Sequence, residues 1–307
     1  MPEPVTVTQT ATDVTVALVV QRQHLGDVVL SEAQQVWTDL GCQVEIVVPD
    51  AARLFEVPGT TPPWSVVVSR GRQLAGLGLL AAASALGVPA VNDPRAIDLV
   101  RNKVAMQAVL ANHHMPLPRT WFAQDPAIFA ELALEHFPLV VKPFDGDGSR
   151  GLALLTAPGD VALLPAAAAG SLYLAQQYLQ TDGYDLKLYG VGSKVWAVRK
   201  PSLVSFPGPG PAVLTPSSGA ELVELDVELT DIALTCGRAC QLELWGVDVA
   251  MTPNGPAVIE VNDFPTYSAV PGAGAALAHH VLTVVEMHSV ARAAGREHYR
   301  SIVRRPQ

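Results

Sequence analysis

The chain has 307 residues, enough for roughly two or three small domains around separate cores. Its 29 acidic residues outnumber 20 basic ones, and the net charge of −9 argues against a nucleic-acid-binding protein, which would need clustered lysine and arginine. Three cysteines form no disulfide framework, and the N-terminus lacks the basic and apolar regions of a signal peptide. We therefore expect a cytoplasmic protein without a nucleic-acid partner, in which any phosphate site is built locally.

Residues 1–92 alternate between β-branched apolar runs and longer helical patterns. A near-continuous apolar run is typical of a strand that is covered on both faces. The alternation predicts an N-terminal, doubly wound α/β domain. Its predicted strands are 14–21, 43–49, 64–69 and 88–91, and its predicted helices are 30–40 and 74–86.

One segment of this domain, residues 74–91, is almost wholly apolar and about long enough to span a membrane. It is interrupted by Gly76, Gly78 and Pro89, and its last part has the pattern of a turn and a short strand. The sequence therefore favours a buried helix followed by a buried strand, and no membrane partner.

The rest of the chain is predicted to form two further α/β units, 93–171 and 172–307. A helical stretch at 96–111 links the first of them to the N-terminal domain, and a proline-rich segment follows it. Strands are predicted at 137–144 and 152–155, on either side of a glycine-rich loop. The overall fold class is thus α/β, with α+β character in the later units.

The glycine-rich loop carries a Gly-x-Gly-x-x-Gly sequence made by Gly146, Gly148 and Gly151. A dinucleotide fingerprint would require a helix directly after the loop, whereas a short strand-like run and a Pro-Gly break follow here. No Gly-Lys-Ser/Thr ends the loop, so it is not a Walker A motif. In a strand–loop–strand device, the loop amides and Ser149 donate to phosphate oxygens, and Lys142 on the preceding strand adds a positive charge. The alternative is a surface hairpin with a polar tip, although a lysine inside an apolar run needs a partner.

Three oxygen-bearing side chains, Asp248, Glu260 and Asn262, lie on two short apolar runs near the C-terminus. The runs 247–251 and 257–261 are predicted strands, and the Asn-Gly between them is a strong hairpin signal. Antiparallel pairing can bring all three side chains to one face, because side chains alternate along a strand. Carboxylate and amide oxygens suit Mg²⁺, with Mn²⁺ as an alternative ion. A polar outer face of the hairpin is the competing interpretation.

Six stretches in order resemble the ATP-grasp superfamily over nearly the whole chain. Within it, the chain is similar to the RimK-type amino-acid ligases and to the inositol-trisphosphate 5/6-kinases. The stretches are 92–97 with 101–103, 140–143, 145–151, 173–179, 185–192, and 246–248 with 259–262.

The resemblance implies an ATP-grasp fold behind a pre-ATP-grasp domain, and it implies roles for individual residues. ATP would be held by Lys103, Lys142, Gly146, Gly148, Ser149, Gly151, Gln176, Gln177, Tyr178, Leu179 and Asp185. The metal ligands would be Asp248, Glu260 and Asn262, and the catalytic cations facing substrate or the transferred phosphoryl group would be Lys187, Arg199 and Lys200.

For the substrate site, different stretches of the chain resemble different families. The stretches 198–203 and 262–267 look more like the inositol kinases, with Lys200 in the position of their arginine, whereas the acidic glycine-rich loop and 69–71 look more like the ligases. We expect an ATP- and Mg²⁺-dependent ligase that joins a carboxylate of an amino acid or peptide-like substrate to an amine through an acyl phosphate. A small-molecule kinase is the alternative. A non-catalytic ATP-binding protein is disfavoured by the complete set of lysines and metal ligands. The expected oligomeric state is a monomer or a homodimer.

Overall fold

A computed structural model describes residues 13–49, 56, 61–144, 151–164, 170–202, 204–205, 213–214 and 219–303. In chain order the elements are β1 (Thr15–Val20), α1 (Val28–Asp39), β2 (Gln43–Val47), β3 (Val66–Arg70), α2 (Leu74–Ala85), β4 (Ala90–Val91), α3 (Pro94–Arg101), α4 (Lys103–Asn112), β5 (Thr120–Ala123), β6 (Leu139–Pro143), β7 (Ala153–Leu155), β8 (Tyr173–Gln177), β9 (Tyr184–Val191), β10 (Lys194–Pro201), β11 (Val204–Ser205), β12 (Val213–Leu214), β13 (Glu221–Val223), α5 (Val227–Ala239), β14 (Leu244–Thr252), β15 (Gly255–Asp263) and α6 (Ala273–Val303).

The chain forms two compact units. The first comprises residues 1–95, 242–244 and 271–307, and the second comprises residues 96–241 and 245–270.

A four-stranded parallel sheet of order β2-β1-β3-β4 organises the first unit. Every residue of β3 is buried, and so are all but the first residue of β1, as expected for strands covered on both faces. The predicted alternation of strands and helices in the N-terminal region is confirmed. Its apolar segment folds as α2 and β4, and no helix in the described part of the chain is long and apolar enough to cross a membrane.

The C-terminal helix α6 belongs to this first unit, whereas the sequence-based division placed it with residues 172–307. The reason is visible in its packing against α1. Trp37 is fully buried, and its indole nitrogen donates a hydrogen bond to the carbonyl oxygen of Ala278 at 3.1 Å. At Gly274 a side chain would collide with the backbone of Val29, so a glycine permits this close approach of the two helices. A contact of such long sequence separation leaves no local sequence pattern.

The predicted single helix at 96–111 is wrong in one respect, because it is split into α3 and α4 at Asn102. The Asn102 side chain accepts a hydrogen bond from the backbone nitrogen of Ala105 at 3.0 Å and so caps the start of α4. Asparagine is favoured at this position because its side chain satisfies a backbone group that the first turn leaves unpaired. The cap makes Lys103 the first residue of a new helix.

The second unit contains a four-stranded antiparallel sheet of order β5-β8-β6-β7. One apolar cluster packs against it, and the short helical turn that contains Phe129 covers this core. The buried members of the cluster are Phe129, Leu139, Val141, Leu155, Tyr173 and Ala175. This sheet carries Lys142 on β6.

A five-stranded sheet of order β13-β10-β9-β14-β15 completes the second unit, with α5 packed against β9 and β10 on one face. Trp245 fills the space between sheet and helix, and its indole nitrogen donates to the carbonyl of Ala233 at 3.1 Å. Side chains at Gly190 or Gly237 would collide with the Trp245 ring, so the two glycines make room for it. Side chains alternate between the two faces along each strand, so the residues between those that pack against α5 lie on the other face, and the polar residues are among them.

Candidate active site

The hairpin of β14 and β15 places the three predicted metal ligands together. Asp248 pairs directly with Glu260, and Gly246 pairs with Asn262, so the acidic and amide side chains share one face of the sheet. The Asn262 amide nitrogen lies 2.9 Å from Asp248 Oδ2. The predicted hairpin and the juxtaposition of its side chains are confirmed, while metal binding stays a prediction.

Glu260 receives two lysines from different elements. Lys103 is 6% exposed at the start of α4, and its ammonium group donates to Glu260 Oε1. Lys142 reaches the other oxygen from β6, with Nζ 3.3 Å from Oε2. One carboxylate therefore holds together the two lysines that the sequence assigned to phosphate binding.

Asp248 receives a second pair of lysines. Lys187 Nζ on β9 is 3.0 Å from Asp248 Oδ1, and Lys200 Nζ on β10 is 4.0 Å from the same oxygen. In the β9–β10 register Lys187 lies opposite Val198, which is two residues from Lys200 on the same strand. Both lysines therefore lie on the same face of the sheet, the one opposite α5. We call Lys103, Lys142, Lys187, Lys200, Asp248 and Glu260 the lysine–carboxylate cluster.

Burial and charge compete in setting the pKa values of the cluster. Burial alone would raise the pKa of Asp248 and Glu260, but the neighbouring lysines outweigh it and lower both. Burial likewise lowers the pKa of Lys142, and Glu260 offsets this only in part because Lys103 repels a second charge nearby. For Lys187, Asp248 overcomes the effect of burial, and the pKa is raised.

Four lysines against two carboxylates leave the cluster with two excess positive charges in a protein whose net charge is −9. Such a local excess favours a polyanionic ligand. The hairpin also offers two carboxylates and an amide oxygen, which fit the all-oxygen preference of Mg²⁺. The donor set therefore suits a divalent ion that shares a site with phosphate groups.

Arg199 does not join the cluster. Its guanidinium group pairs with Asp182 at 2.9 Å and lies 3.6 Å above the centre of the Tyr184 ring. Arg199 pairs with Leu186 in the β9–β10 register, so its side chain lies on the opposite face of the sheet from that of Lys200. The predicted catalytic set of Lys187, Arg199 and Lys200 is brought together only in its two lysines.

The predicted adenine-binding stretch follows β8 and its end. The buried Gln176 side chain donates to Thr120 Oγ1 at 3.2 Å, so its amide is engaged within the sheet. The backbone nitrogen of Tyr178 donates to the carbonyl of Pro138 at 2.9 Å, and Gln177 and Leu179 are half-buried beside it. Burial, together with Asp185, raises the pKa of Tyr178. Adenine binding here remains a prediction.

The predicted phosphate loop is described only at its end. Gly146, Gly148 and Ser149 lie outside the described residues. Gly151 has a φ of +72°, and a side chain there would also press on the Pro143 ring at 2.9 Å. Glycine is therefore required at this position for both conformation and space.

Two tyrosines beside the cluster lie in stretches that the resemblance covers, but neither was assigned to the site from the sequence. Tyr189 lies two residues beyond Lys187 on the same strand face, and its ring centre is 5.3 Å from that of Tyr267. Tyr267 is 1% exposed and donates from its hydroxyl to the carbonyl of Gly190 at 2.8 Å. Strand alternation counted from Lys187 could have found Tyr189, but Tyr267 follows β15 in an irregular segment where no periodicity applies.

Comparison with known proteins identifies the family of the chain. Residues 100–285, more than half of the chain, match the RimK-like ATP-grasp domain. The chain belongs to the RimK-like ATP-grasp family. The matched region contains all six members of the lysine–carboxylate cluster.

Relatives of this RimK-like protein support the assignment. It is 28% identical to a probable alpha-L-glutamate ligase 2 from Shewanella sp. (strain MR-4), over 70% of this chain and 74% of the relative. Its fold resembles that of the D-cycloserine synthetase DcsG, with a TM-score of 0.69 at 19% identity, covering 89% of this chain and 99% of that one. The ATP-grasp ligase PsnB, complexed with minimal precursor, Mg and ADP, gives a TM-score of 0.64 at 17% identity, covering 89% and 97%. The predicted ATP-grasp fold and the resemblance to ligases are thus confirmed.

Proposed function

We propose that this RimK-like protein is an ATP- and Mg²⁺-dependent ligase that joins the carboxylate of an amino acid or peptide-like substrate to an amine through an acyl phosphate. The observation that carries the proposal is the convergence of four lysines on the two carboxylates of the β14–β15 hairpin. The glutamate-ligase names of its relatives make L-glutamate the first amine to test.

The two halves of the cluster would have different tasks. Lys103 and Lys142 already lie together on Glu260, and they would pair with the α- and β-phosphates of ATP. Asp248, Glu260 and Asn262 would hold Mg²⁺, which supplies charge neutralisation for the phosphate oxygens when bound. An ion-paired cluster of this kind keeps the lysines positioned before nucleotide arrives.

Lys187 and Lys200 would serve the substrate side. A carboxylate oxygen of the substrate attacks the γ-phosphorus, the bond to ADP breaks, and an acyl phosphate forms. The amine then attacks the acyl carbon, phosphate leaves, and the proton lost by the amine passes to solvent. Cations near the acyl group stabilise the tetrahedral oxyanion, and Lys187 and Lys200 share the sheet face with the metal ligands.

The geometry leaves the kinase alternative open, because Lys200, which stands in the position of the kinases' arginine, contacts Asp248. The neighbouring Arg199 is instead paired with Asp182 and stacked on Tyr184. The ligase is the better supported function because the relatives and the similar structures are ligases.

Release of free phosphate from ATP and Mg²⁺ tests the proposal, with amino acids and short peptides supplied as acids and L-glutamate among the amines. Release is expected only when an acid and an amine are both present. ADP with a phosphorylated product and no free phosphate would point to the kinase instead.

Lys142→Met is expected to lower turnover by roughly 100-fold or more, since it removes a preorganised charge from the nucleotide site. Lys194→Met on the same five-stranded sheet as Asp248 is a matched control, because Lys194 is exposed at the start of β10. Equal losses in the two variants would contradict the assigned site.

A further inference from the structure

The first unit contains a cavity of about 360 Å³ that the proposed function does not use. It is lined by the segments that precede β3 and β4 and by one face of α6. The α6 residues that face it, Val285, His288, Ser289 and Arg292, follow the three- and four-residue spacing of a single helix face. Its size is at the lower end of the range for small-molecule sites.

The cavity lies at the amino edge of the parallel sheet. Ser65 directly precedes β3, and Pro89 directly precedes β4. Ligands of open parallel sheets normally bind at the opposite edge, where the strands end. A ligand here would therefore occupy a second site, separate from the carboxyl edge of this sheet.

The walls combine apolar surface with hydroxyl groups. The Trp64 indole nitrogen already donates to Glu45 at 2.7 Å, so its ring offers an apolar surface rather than a donor. Val88 and Val285 are buried and add to that surface. Ser65 Oγ accepts from the backbone nitrogen of Thr15 at 3.1 Å, which leaves its hydroxyl hydrogen to donate.

The charge of the lining is positive. Among the described residues that line the cavity none is acidic, and no described carboxylate lies within ion-pairing distance of the exposed Arg292 guanidinium. His288 Nε2 lies 3.1 Å from the carbonyl oxygen of Gly87, to which it must donate, so the ring is held in a fixed orientation. A planar guanidinium group with donors beside it suits a carboxylate.

We propose that this cavity binds a small organic monocarboxylate with an apolar or aromatic body. The carboxylate pairs with Arg292 and accepts from the Ser289 hydroxyl, and the body of the ligand packs against Trp64 and the two valines. The site depends only on residues of the first unit, so its existence is independent of the ligase proposal.

Isothermal titration of the full chain with phenylacetate tests this site, and phenylacetamide serves as the neutral counterpart of the same shape. Saturable binding of one phenylacetate is expected with a Kd on the order of 1 mM, as suits a ligand of about ten heavy atoms. The amide is expected to bind at least tenfold more weakly. Equal affinities, or no saturable binding of phenylacetate, would overturn the proposal.

Two variants locate the site. Arg292→Gln is expected to weaken phenylacetate binding about tenfold because it removes the charge-assisted contact, while Arg238→Gln, an exposed arginine on α5, leaves it unchanged. Ser289→Phe fills the cavity and is expected to abolish binding, with its thermal unfolding measured to show that it is folded. Wild-type affinity in either cavity variant would overturn the proposal, and ligase turnover is unaffected by the outcome.

Discussion

Replacing Lys142 and Glu260 one at a time removes the same ion pair from opposite sides, yet we expect only the replacement of Glu260 to lower the free energy of unfolding. Burial lowers the pKa of the Lys142 ammonium group in spite of Glu260, so its charged form is less favourable in the folded protein than in the unfolded chain. After Lys142→Met, Glu260 still has Lys103 as a partner. Glu260→Gln instead leaves two buried ammonium groups without their carboxylate.

The expected magnitudes follow from this asymmetry. Lys142 is 14% exposed and Glu260 19% exposed in their side chains, so solvent screens neither charge fully. Exchanging the surplus buried cation for an apolar side chain of similar length should be neutral or stabilise by roughly 1–2 kcal/mol. Breaking the pair at Glu260 should cost about 3–5 kcal/mol, because the uncompensated charges remain buried.

Urea unfolding at pH 7.5, followed by tryptophan fluorescence, measures both variants beside the control Lys194→Met. The midpoint should rise or stay level for Lys142→Met and fall for Glu260→Gln, with the slope unchanged. If the Lys142–Glu260 pair stabilised the fold on balance, replacing either partner would lower the free energy of unfolding. A loss of more than about 1 kcal/mol in Lys142→Met would therefore refute the expectation.

Three further predictions concern buried groups within the two units. Cys236 and Cys240 are buried, and burial raises the pKa values of their thiols to about 12. Both thiols should resist iodoacetamide at pH 8 until urea unfolds the chain. Alkylation of the native protein, detected by mass spectrometry, would contradict this. Asn92 is 1% exposed, and its side-chain amide makes hydrogen bonds to three backbone groups at 2.7–2.8 Å. Asn92→Ala should therefore lower the free energy of unfolding, measured by urea titration, by about 2–4 kcal/mol. A change below about 1 kcal/mol would be inconsistent with these contacts. Gly190→Ala should cost about 1–3 kcal/mol because its methyl group would meet the Trp245 ring, and an unchanged midpoint would show that the ring can shift freely.

Local patterns predicted the hairpin that carries the acids but not every side-chain direction. The Asn254-Gly255 turn predicted the hairpin, and the period-two alternation placed Glu260 and Asn262 on one face. Regular pairing counted from the turn would put Asp248 opposite Ile259, and a register shift between Asp248 and Val249 places it opposite Glu260 instead. The same alternation, applied to β10, separates Arg199 from Lys200, and the motif resemblance had assigned both to the site. A motif of two adjacent residues indicates candidate site residues, but neighbouring residues of a strand lie on opposite faces, so only one of the two can face the ligand.

Contacts between distant parts of the chain could not be predicted in this way. Lys103 and Lys142 were recognised by resemblance, but their meeting at Glu260 spans 157 and 118 residues of sequence. The addition of α6 to the first unit likewise rests on the bond from Trp37 to Ala278, 241 residues apart. Such contacts are set by the tertiary arrangement of elements, on which single-sequence periodicity carries no information.

The most direct test of the proposed ligase follows an oxygen atom. An acid that supports turnover is labelled with ¹⁸O in its carboxylate, and the phosphate released from ATP is analysed by mass spectrometry. If the carboxylate attacks the γ-phosphorus, one labelled oxygen should appear in phosphate for each amide bond formed. Unlabelled phosphate formed together with the amide would show that no acyl phosphate is made, and the account would be contradicted.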